Sequence, residues 1–166
     1  MPVSELILRS YQPSDFEALL AIDQVCFPKT IAYGRREMKS YLQSAGSHCI
    51  VAEIPDTAIS RMIAGFILTE REGDLAHIIT LDVLEPYRRQ SVASLLLHAA
   101  EQEAASHGVT SVYLETATTN KPAIALWKKH GYRELATIEN YYASGLDAFQ
   151  MDKDLVVRMR AGSGLL

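Results

Sequence analysis

The sequence predicts an α/β fold, with a mixed central sheet of about seven strands and helices on both faces of the sheet. Short runs of β-branched and aliphatic residues recur along the chain, bounded by glycine, proline and aspartate turn signals. Segments with apolar residues at helical spacing lie between these runs. The predicted order is β-α-α-β-β-β-α-β-α-β-β. A set of hairpin strands followed by a β-α-β-α-β half implies one mixed sheet.

The composition limits the possible classes of protein. A chain of 166 residues is long enough for one buried core, and we expect residues 1–157 to form a single domain and residues 158–166 a flexible tail. The formal net charge of -4 argues against a non-specific nucleic-acid binder, which carries a broad basic excess. The two cysteines, Cys26 and Cys49, lack metal-ligand spacing, so we expect a reducing compartment, no disulfide and no metal.

The ends and the hydropathy of the chain bear on its location. The first residues do not combine a charged start with an apolar segment, so no signal peptide is expected. No apolar run approaches the length that spans a bilayer. We therefore expect a cytoplasmic protein with no membrane partner and no nucleic-acid partner, either a monomer or a homodimer.

The first half of the chain reads as one strand, two helices and a strand meander. A strand is predicted over residues 6–10. Ser14 and Glu17 have the spacing of a capping box, which predicts a helix that starts there and ends at Phe27-Pro28. A shorter helix is predicted over residues 35–44. Short connections then join strands at 48–54, at 62–70 and from about Ala76 into an antiparallel meander.

The stretch from His77 to Ser106 carries the clearest functional signal. A strand over residues 78–83 breaks at Glu85-Pro86, and a basic turn of small residues leads into a long helix that starts near Val92. The first turn of a helix has unpaired N–H groups and a positive dipole end. Small residues let a phosphate approach those donors, so residues 88–93 are a candidate pyrophosphate site.

The same turn resembles a family signature. Arg88, Ser91 and Ala93 match the Arg/Gln-x-x-Gly-x-Gly/Ala signature for acetyl-CoA in the GNAT N-acetyltransferases, except that Ser91 stands where the family usually has glycine. A Cβ at that position narrows the approach of a phosphate to the backbone. The resemblance implies a GNAT fold and acetyl-CoA as cosubstrate. The implied acetyl-CoA contacts are Leu81, Asp82, Val83, Arg88, Arg89, Gln90, Ser91, Val92, Ala93, Ser94, Asn120, Ala123, Leu126 and Trp127.

The second half of the chain extends the resemblance to the N-terminal protein acetyltransferases within that family. It has a strand at 112–116, a helix from Asn120 to about Lys129 and two last strands at 132–138 and 149–155. The segments that match are 112–115, 120–127, 130–132 and 140–148. By this resemblance, a loop and an aromatic pair contact the acceptor, through Phe27, Pro28, Tyr33, Tyr141 and Tyr142.

Two residues are candidates for the acid–base chemistry. Glu115 follows an apolar run in a strand, and the resemblance to the bacterial ribosomal-protein alanine acetyltransferase places a catalytic glutamate there. His77 stands where the eukaryotic NatE catalytic subunit has a catalytic tyrosine, and imidazole titrates near neutrality. The alternative is structural: Glu115 as a carboxylate that caps backbone or pairs with an arginine, and His77 as an ordinary strand residue.

Two further positions have open readings. Trp127 replaces a tyrosine that the bacterial relatives use as an acid, and indole cannot supply that proton. The thiolate would then leave with help from solvent or backbone donors, or a nearby tyrosine such as Tyr132 or Tyr141 would supply the proton. We expect Trp127 itself to pack on its helix and shape the pantetheine slot. Asn120 either holds the pantetheine arm or caps the helix that follows, and both roles are compatible. Backbone N–H groups near Asp82 and Val83 would hold the thioester oxygen, which requires a β-bulge.

The resulting expectation is an acetyl-CoA-dependent N-acetyltransferase. An α-amine has a pKa of about 8 and a lysine amine one of about 10.4, so an α-amine needs less help to become nucleophilic. The resemblance to the N-terminal protein acetyltransferases, with its peptide-contacting loop and aromatic pair, therefore implies a protein N-terminus as the acceptor. A small-molecule amine acetyltransferase, with a more closed and carboxylate-lined pocket, and a CoA-binding module without activity remain alternatives.

Overall fold

A computed structural model describes residues 5–155, so the predicted tail at 158–166 lies outside the described residues. These described residues fold into seven strands, four α-helices and two short 3₁₀ turns. These are β1 (Ile7–Ser10), a 3₁₀ turn (Pro13–Asp15), α1 (Phe16–Cys26), α2 (Arg35–Gln43), β2 (Ser47–Pro55), β3 (Arg61–Glu72), β4 (Leu75–Val83), a 3₁₀ turn (Glu85–Tyr87), α3 (Val92–Ser106), β5 (Ser111–Ala117), α4 (Lys121–Lys129), β6 (Arg133–Ile138) and β7 (Ala148–Asp154). The predicted order of elements is confirmed.

The strands form one mixed sheet in the order β1-β2-β3-β4-β5-β7-β6. All neighbouring pairs are antiparallel except β4 and β5, which are parallel. The predicted antiparallel meander of β2, β3 and β4 is confirmed. Because β4 and β5 are parallel neighbours, the chain must cross from the end of β4 back to the start of β5, and α3 is this crossover helix.

Each face of the sheet carries its own core. On one face, α3 and α4 pack on the sheet around fully buried side chains such as Leu96, Leu97 and Leu114. On the other face, α1 and α2 pack around Leu19, Met38 and Phe66. The helices therefore cover both faces, as predicted. No helix within residues 5–155 is long and apolar enough to cross a membrane.

The capping box predicted at Ser14 and Glu17 is wrong. The observed capping contact begins two residues earlier, where the Gln12 N–H donates to Asp15 Oδ2 at 2.7 Å. Asp15 is held there by Arg9, whose Nη1 lies 2.7 Å from the same oxygen. Glu17 instead pairs with Arg35 across the surface. The ion pair with Arg9 of β1 therefore holds Asp15 at the start of α1, and the capping-box spacing does not reveal this contact.

A β-bulge interrupts the middle of β4. Thr80 lies opposite Leu68 and Ile78 lies opposite Thr69, so Ile79 has no partner in β3. A bulge shifts the alternation of side chains along a strand. Ala76 and Ile78 face the α3 core, and after the bulge Val83 faces that core again. The bulge lies just before the Asp82-Val83 backbone that was expected to hold the thioester oxygen, and it turns the Asp82 side chain toward α1.

Candidate active site

The two parallel strands separate and leave a cleft. The ladder between β4 and β5 pairs Leu75–His77 with Ser111–Tyr113 and goes no further. Beyond that point residues 78–83 and 114–117 line a cleft of about 920 Å³. Strand backbone without a partner strand has unused donors and acceptors, so the cleft walls can bind an extended ligand by main-chain hydrogen bonds.

The basic turn and the first turn of α3 close one end of the cleft. Arg89 and Ser91 both adopt left-handed backbone conformations, with φ of 60° and 65°. These conformations turn the chain sharply into α3. Arg88 Nε donates to the Val83 carbonyl at 2.8 Å, which fastens the turn to the end of β4. The exposed N–H groups of the first turn, with Arg88 and Arg89 beside them, suit a phosphate-bearing ligand.

Helix α4 forms the facing wall. Asn120 Oδ1 accepts a hydrogen bond from the Ala123 N–H at 3.3 Å, so Asn120 caps this helix. Asn120 also lines the cleft. Trp127 is 6% exposed and meets Tyr132 edge-on, with ring centroids 5.5 Å apart. Tyr132 Oη donates to Glu101 at 2.9 Å, away from the cleft, so Tyr132 is poorly placed to replace a tyrosine at position 127. Trp127 therefore forms a packed part of the cleft wall.

His77 and Glu115 meet where the two strands part. His77 Nε2 lies 2.5 Å from Glu115 Oε2. The His77 ring stacks on Tyr113 with a centroid distance of 4.4 Å and an interplanar angle of 5°. Both side chains project from the α1 face, because their strand neighbours Ile78 and Leu114 are in the α3 core. Glu115 lines the cleft, and His77 holds its carboxylate from the side.

The acceptor face carries a loop and an aromatic pair. Phe27, Ile31 and Tyr33, between α1 and α2, line the cleft together with Tyr141 and Tyr142. Tyr33 Oη donates to the Ile79 carbonyl at 3.2 Å, which holds the loop against the bulge. Burial, with the Glu115 charge second, raises the pKa of Tyr141 and of Tyr142 to about 12. Both phenols therefore keep their protons at neutral pH and can act as donors.

Most of the site residues that the sequence singled out line this one cleft. The lining residues among them are Phe27, Tyr33, Leu81, Asp82, Val83, Arg88, Arg89, Ser91, Val92, Ala93, Ser94, Glu115, Asn120, Ala123, Leu126, Trp127, Tyr141 and Tyr142. His77, Pro28 and Gln90 lie outside the lining. Gln90 Nε2 donates to the Pro86 carbonyl at 2.9 Å and so braces the basic turn.

Sequence reasoning missed part of the lining. Asp23, on α1, and Lys129, at the end of α4, both reach the cleft. A carboxylate on the apolar side of a helix is the signal that marks Asp23, since it sits between Ile22 and Cys26 on a face that buries Leu19. Lys129 carries no comparable signal, because lysine at a helix end is common on surfaces.

Comparisons with known proteins agree with this geometry. The sequence model of the acetyltransferase (GNAT) family matches residues 16–132, which is more than half of the chain. An N-alpha-acetyltransferase from Sulfolobus acidocaldarius is 31% identical over 144 residues, covering 83% of this chain and 86% of the relative. N-alpha-acetyltransferase 50 from Danio rerio is 27% identical over 146 residues, covering 86% and 84% of the two chains.

Solved structures share the fold. The Ard1 crystal structure from Thermoplasma volcanium superimposes with a TM-score of 0.81 at 25% identity, covering 91% of this chain and 98% of that one. The ribosomal-protein-S18-alanine N-acetyltransferase from Escherichia coli gives 0.78 at 23% identity, covering 97% and 99%. With a family match over most of the fold and a cleft of this form between β4 and β5, the chain belongs to the acetyltransferase (GNAT) family.

Proposed function

We propose that this protein transfers an acetyl group from acetyl-CoA to the N-terminal α-amine of protein substrates, by direct attack in a ternary complex. The observation that carries the proposal is that one cleft is lined by both a phosphate-suited turn and Glu115, whose carboxylate His77 contacts from outside the lining. The relatives named N-alpha-acetyltransferase support the choice of acceptor.

The residues of the cleft fit acetyl-CoA. Its pyrophosphate would lie at the first turn of α3, beside Arg88 and Arg89. The pantetheine arm would run between the separated ends of β4 and β5, with Trp127 as a wall. Backbone N–H groups of the β4 end would hold the thioester carbonyl oxygen. The acetyl thioester supplies the electrophilic carbonyl carbon.

Glu115 is the proposed general base. The amine nitrogen attacks the carbonyl carbon, a nitrogen–carbon bond forms and the carbon–sulfur bond breaks. The nitrogen gives its proton to Glu115, directly or through one water. His77 acts through Glu115 by holding Oε2, which leaves the other carboxylate oxygen for the amine. The departing thiolate takes a proton from solvent or from Tyr141 or Tyr142, both of which keep theirs at neutral pH.

The acceptor enters from the α1 face. The loop residues Phe27 and Tyr33 would contact the first residues of the substrate on one side, and Tyr141 and Tyr142 on the other. Aromatic rings with polar tips suit a peptide backbone. The ring centroids of Tyr141 and Tyr142 lie 4.9 Å apart in an edge-on arrangement, so the pair forms a firm wall.

A small amine remains the second candidate. Asp23, Asp82 and Glu115 line the cleft, which is the carboxylate-rich lining that such an acceptor would need. Asp23 and Asp82 are almost fully buried, however, and contact each other. This observation favours the peptide acceptor.

The test is acetylation of a mixed peptide library with free N-termini, read by mass spectrometry. Parallel samples contain a library with blocked N-termini and internal lysines, and a set of small polyamines. We expect acetyl groups on α-amines only. Glu115→Gln should abolish most of the product, and Glu134→Gln, a surface carboxylate paired with Lys128, should not. Acetylation of lysines or polyamines alone would overturn the proposed N-terminal acceptor. Stabilisation by acetyl-CoA without any product would favour the CoA-binding module.

A further inference from the structure

Two aspartates meet beneath the acceptor loop, and the chemistry proposed above does not use them. Asp23 on α1 is 0% exposed and Asp82 on β4 is 1% exposed. Their side chains are close enough to hydrogen-bond to each other. An isolated pair of ionised carboxylates in such a place is strongly unfavourable, because each charge loses its hydration and the two repel.

The other contacts of the pair are those of carboxyl acceptors. Tyr33 donates its backbone N–H to Asp23 Oδ2 at 2.7 Å, and Thr80 donates its hydroxyl to Asp82 Oδ1 at 2.6 Å. The remaining oxygens, Asp23 Oδ1 and Asp82 Oδ2, are buried and have no donor among residues 5–155. One proton shared by the two carboxyl groups would supply the hydrogen bond that these oxygens lack.

We propose that Asp23 and Asp82 share one proton, and that this acid pair positions the acceptor loop, residues 27–34, against β4. The pair is connected to the loop by the hydrogen bond that the Tyr33 N–H donates to Asp23. Tyr33 also bonds the Ile79 carbonyl at the bulge, so the loop is tied to β4 at two points. The role given to the loop depends on the proposed function, but the shared proton does not.

The positive charge near the two aspartates is too small to balance two negative charges. Burial raises the pKa of both Asp23 and Asp82 above the ordinary range, although the hydrogen bonds from Tyr33 and Thr80 act in the opposite direction. Arg88 is the positively charged group near Asp82, and it favours one ionised member but not two. The titratable and charged groups that face the pair are Arg88, Cys26, Tyr33, Glu37 and Cys49.

The direction of the pH dependence follows from linkage. A carboxyl group whose folded-state pKa is raised binds a proton more tightly in the folded state than in the unfolded state. Its contribution to the free energy of unfolding is therefore complete below the ordinary aspartate value of about 3.9 and is lost as the pH rises through the folded-state value. Loss of the shared proton leaves two buried charges, and their repulsion separates α1 from β4.

The experiment uses Asp82→Asn, whose amide keeps a donor for Asp23 and an acceptor for Thr80 without a shared proton. Melting temperatures are measured from about pH 2 to about pH 9, so that both the raised pKa of the pair and the lowered pKa of the control residue fall within the range. The melting temperature of the wild type should fall as the pH rises, and that of the variant should fall less. The melting temperature of the variant relative to the wild type should therefore increase with pH. Equal slopes for the two proteins would overturn the shared proton.

Asp15→Asn is the matched control. Asp15 is also buried, but the hydrogen bond from Arg9 lowers its pKa. This variant should be less stable than wild type at neutral pH, and the difference should shrink as the pH falls through the acid range, which is the opposite sign.

The positioning role has a separate readout. In the wild type, the peptide KM should rise more steeply between pH 7 and pH 9 than in Asp23→Asn, while the acetyl-CoA KM changes alike in both. Equal changes in the peptide KM would overturn the positioning role. Absence of any peptide product would overturn the proposed function instead, and the melting curves would still decide the shared proton.

Discussion

The two ends of the cleft are built in different ways. The end that suits acetyl-CoA consists of consecutive residues, 88–94, and relies on backbone N–H groups and the turn geometry. The acceptor end relies on side-chain pairs brought together from separate elements: His77 with Glu115, and Asp23 with Asp82. A backbone site survives most side-chain changes, whereas a side-chain pair fails when one member is altered. The two ends should therefore respond differently to substitution.

The largest effect should come from the acceptor end. Glu115→Gln removes the proposed base, and turnover should fall about 10²–10⁴-fold, the range typical of a lost general base. Because the turn at 88–94 is untouched, stabilisation by acetyl-CoA in a thermal shift assay should stay at the wild-type level. A comparable loss of acetyl-CoA binding would show that the two ends are not independent.

A close backbone approach under the site gives the next effect. A Cβ on Gly65 would lie 2.4 Å from the Asp82 carbonyl oxygen, so β3 and β4 cannot keep their spacing there. Gly65→Ala should lower the free energy of unfolding by about 1–3 kcal/mol, as overpacking typically does. Chemical denaturation measures this loss. Gly34→Ala is the control, because a Cβ there meets nothing within 4 Å. Equal stability of the two variants would mean that β3 can shift without cost.

At the acetyl-CoA end, substitution of Ser91 should increase both stability and affinity. Ser91 is held at a φ of 65°, a conformation that costs a residue with a Cβ about 1–2 kcal/mol. Ser91→Gly should therefore raise the melting temperature and tighten acetyl-CoA binding. Ser91→Ala keeps the Cβ and should bring neither gain. If Ser91→Gly loses affinity, the serine hydroxyl contributes a contact to the ligand.

The smallest effect should come from Trp127→Tyr. The indole Nε1 is buried and has no hydrogen-bond partner among the described residues, so no bond is lost when it is replaced. The tyrosine hydroxyl adds an acid near the thiolate position. Turnover, measured by release of CoA, should stay equal or increase. A large loss would show that the indole itself is needed in the cleft.

The same contrast explains which features the sequence could predict. The basic turn at residues 88–93 and the strands around it are local, so periodicity and short motifs predict them, and the structure has them within a residue or two. Glu115 and His77 were predicted separately from a resemblance, and their contact depends on two strands being neighbours. The Asp23–Asp82 pair was not predicted at all, because it depends on a bulge at Ile79 that turns Asp82 toward α1. The ion pair of Arg9 with Asp15 likewise stands in place of the predicted Ser14–Glu17 capping box, because it depends on β1 lying beside the start of α1.

The short parallel ladder between β4 and β5 has a consequence for cooperativity. The sheet consists of two antiparallel blocks, β1–β4 and β5–β7, and the ladder that joins them stops at His77 and Tyr113. Each block has its own long ladders, so the seam is the part of the sheet with the least backbone pairing. An extended ligand in the cleft would hydrogen-bond to both β4 and β5 beyond the end of their ladder, and would so connect the two blocks while it is bound. Amide hydrogen exchange in the second block should therefore slow when the cosubstrate binds, far from any atom that touches it.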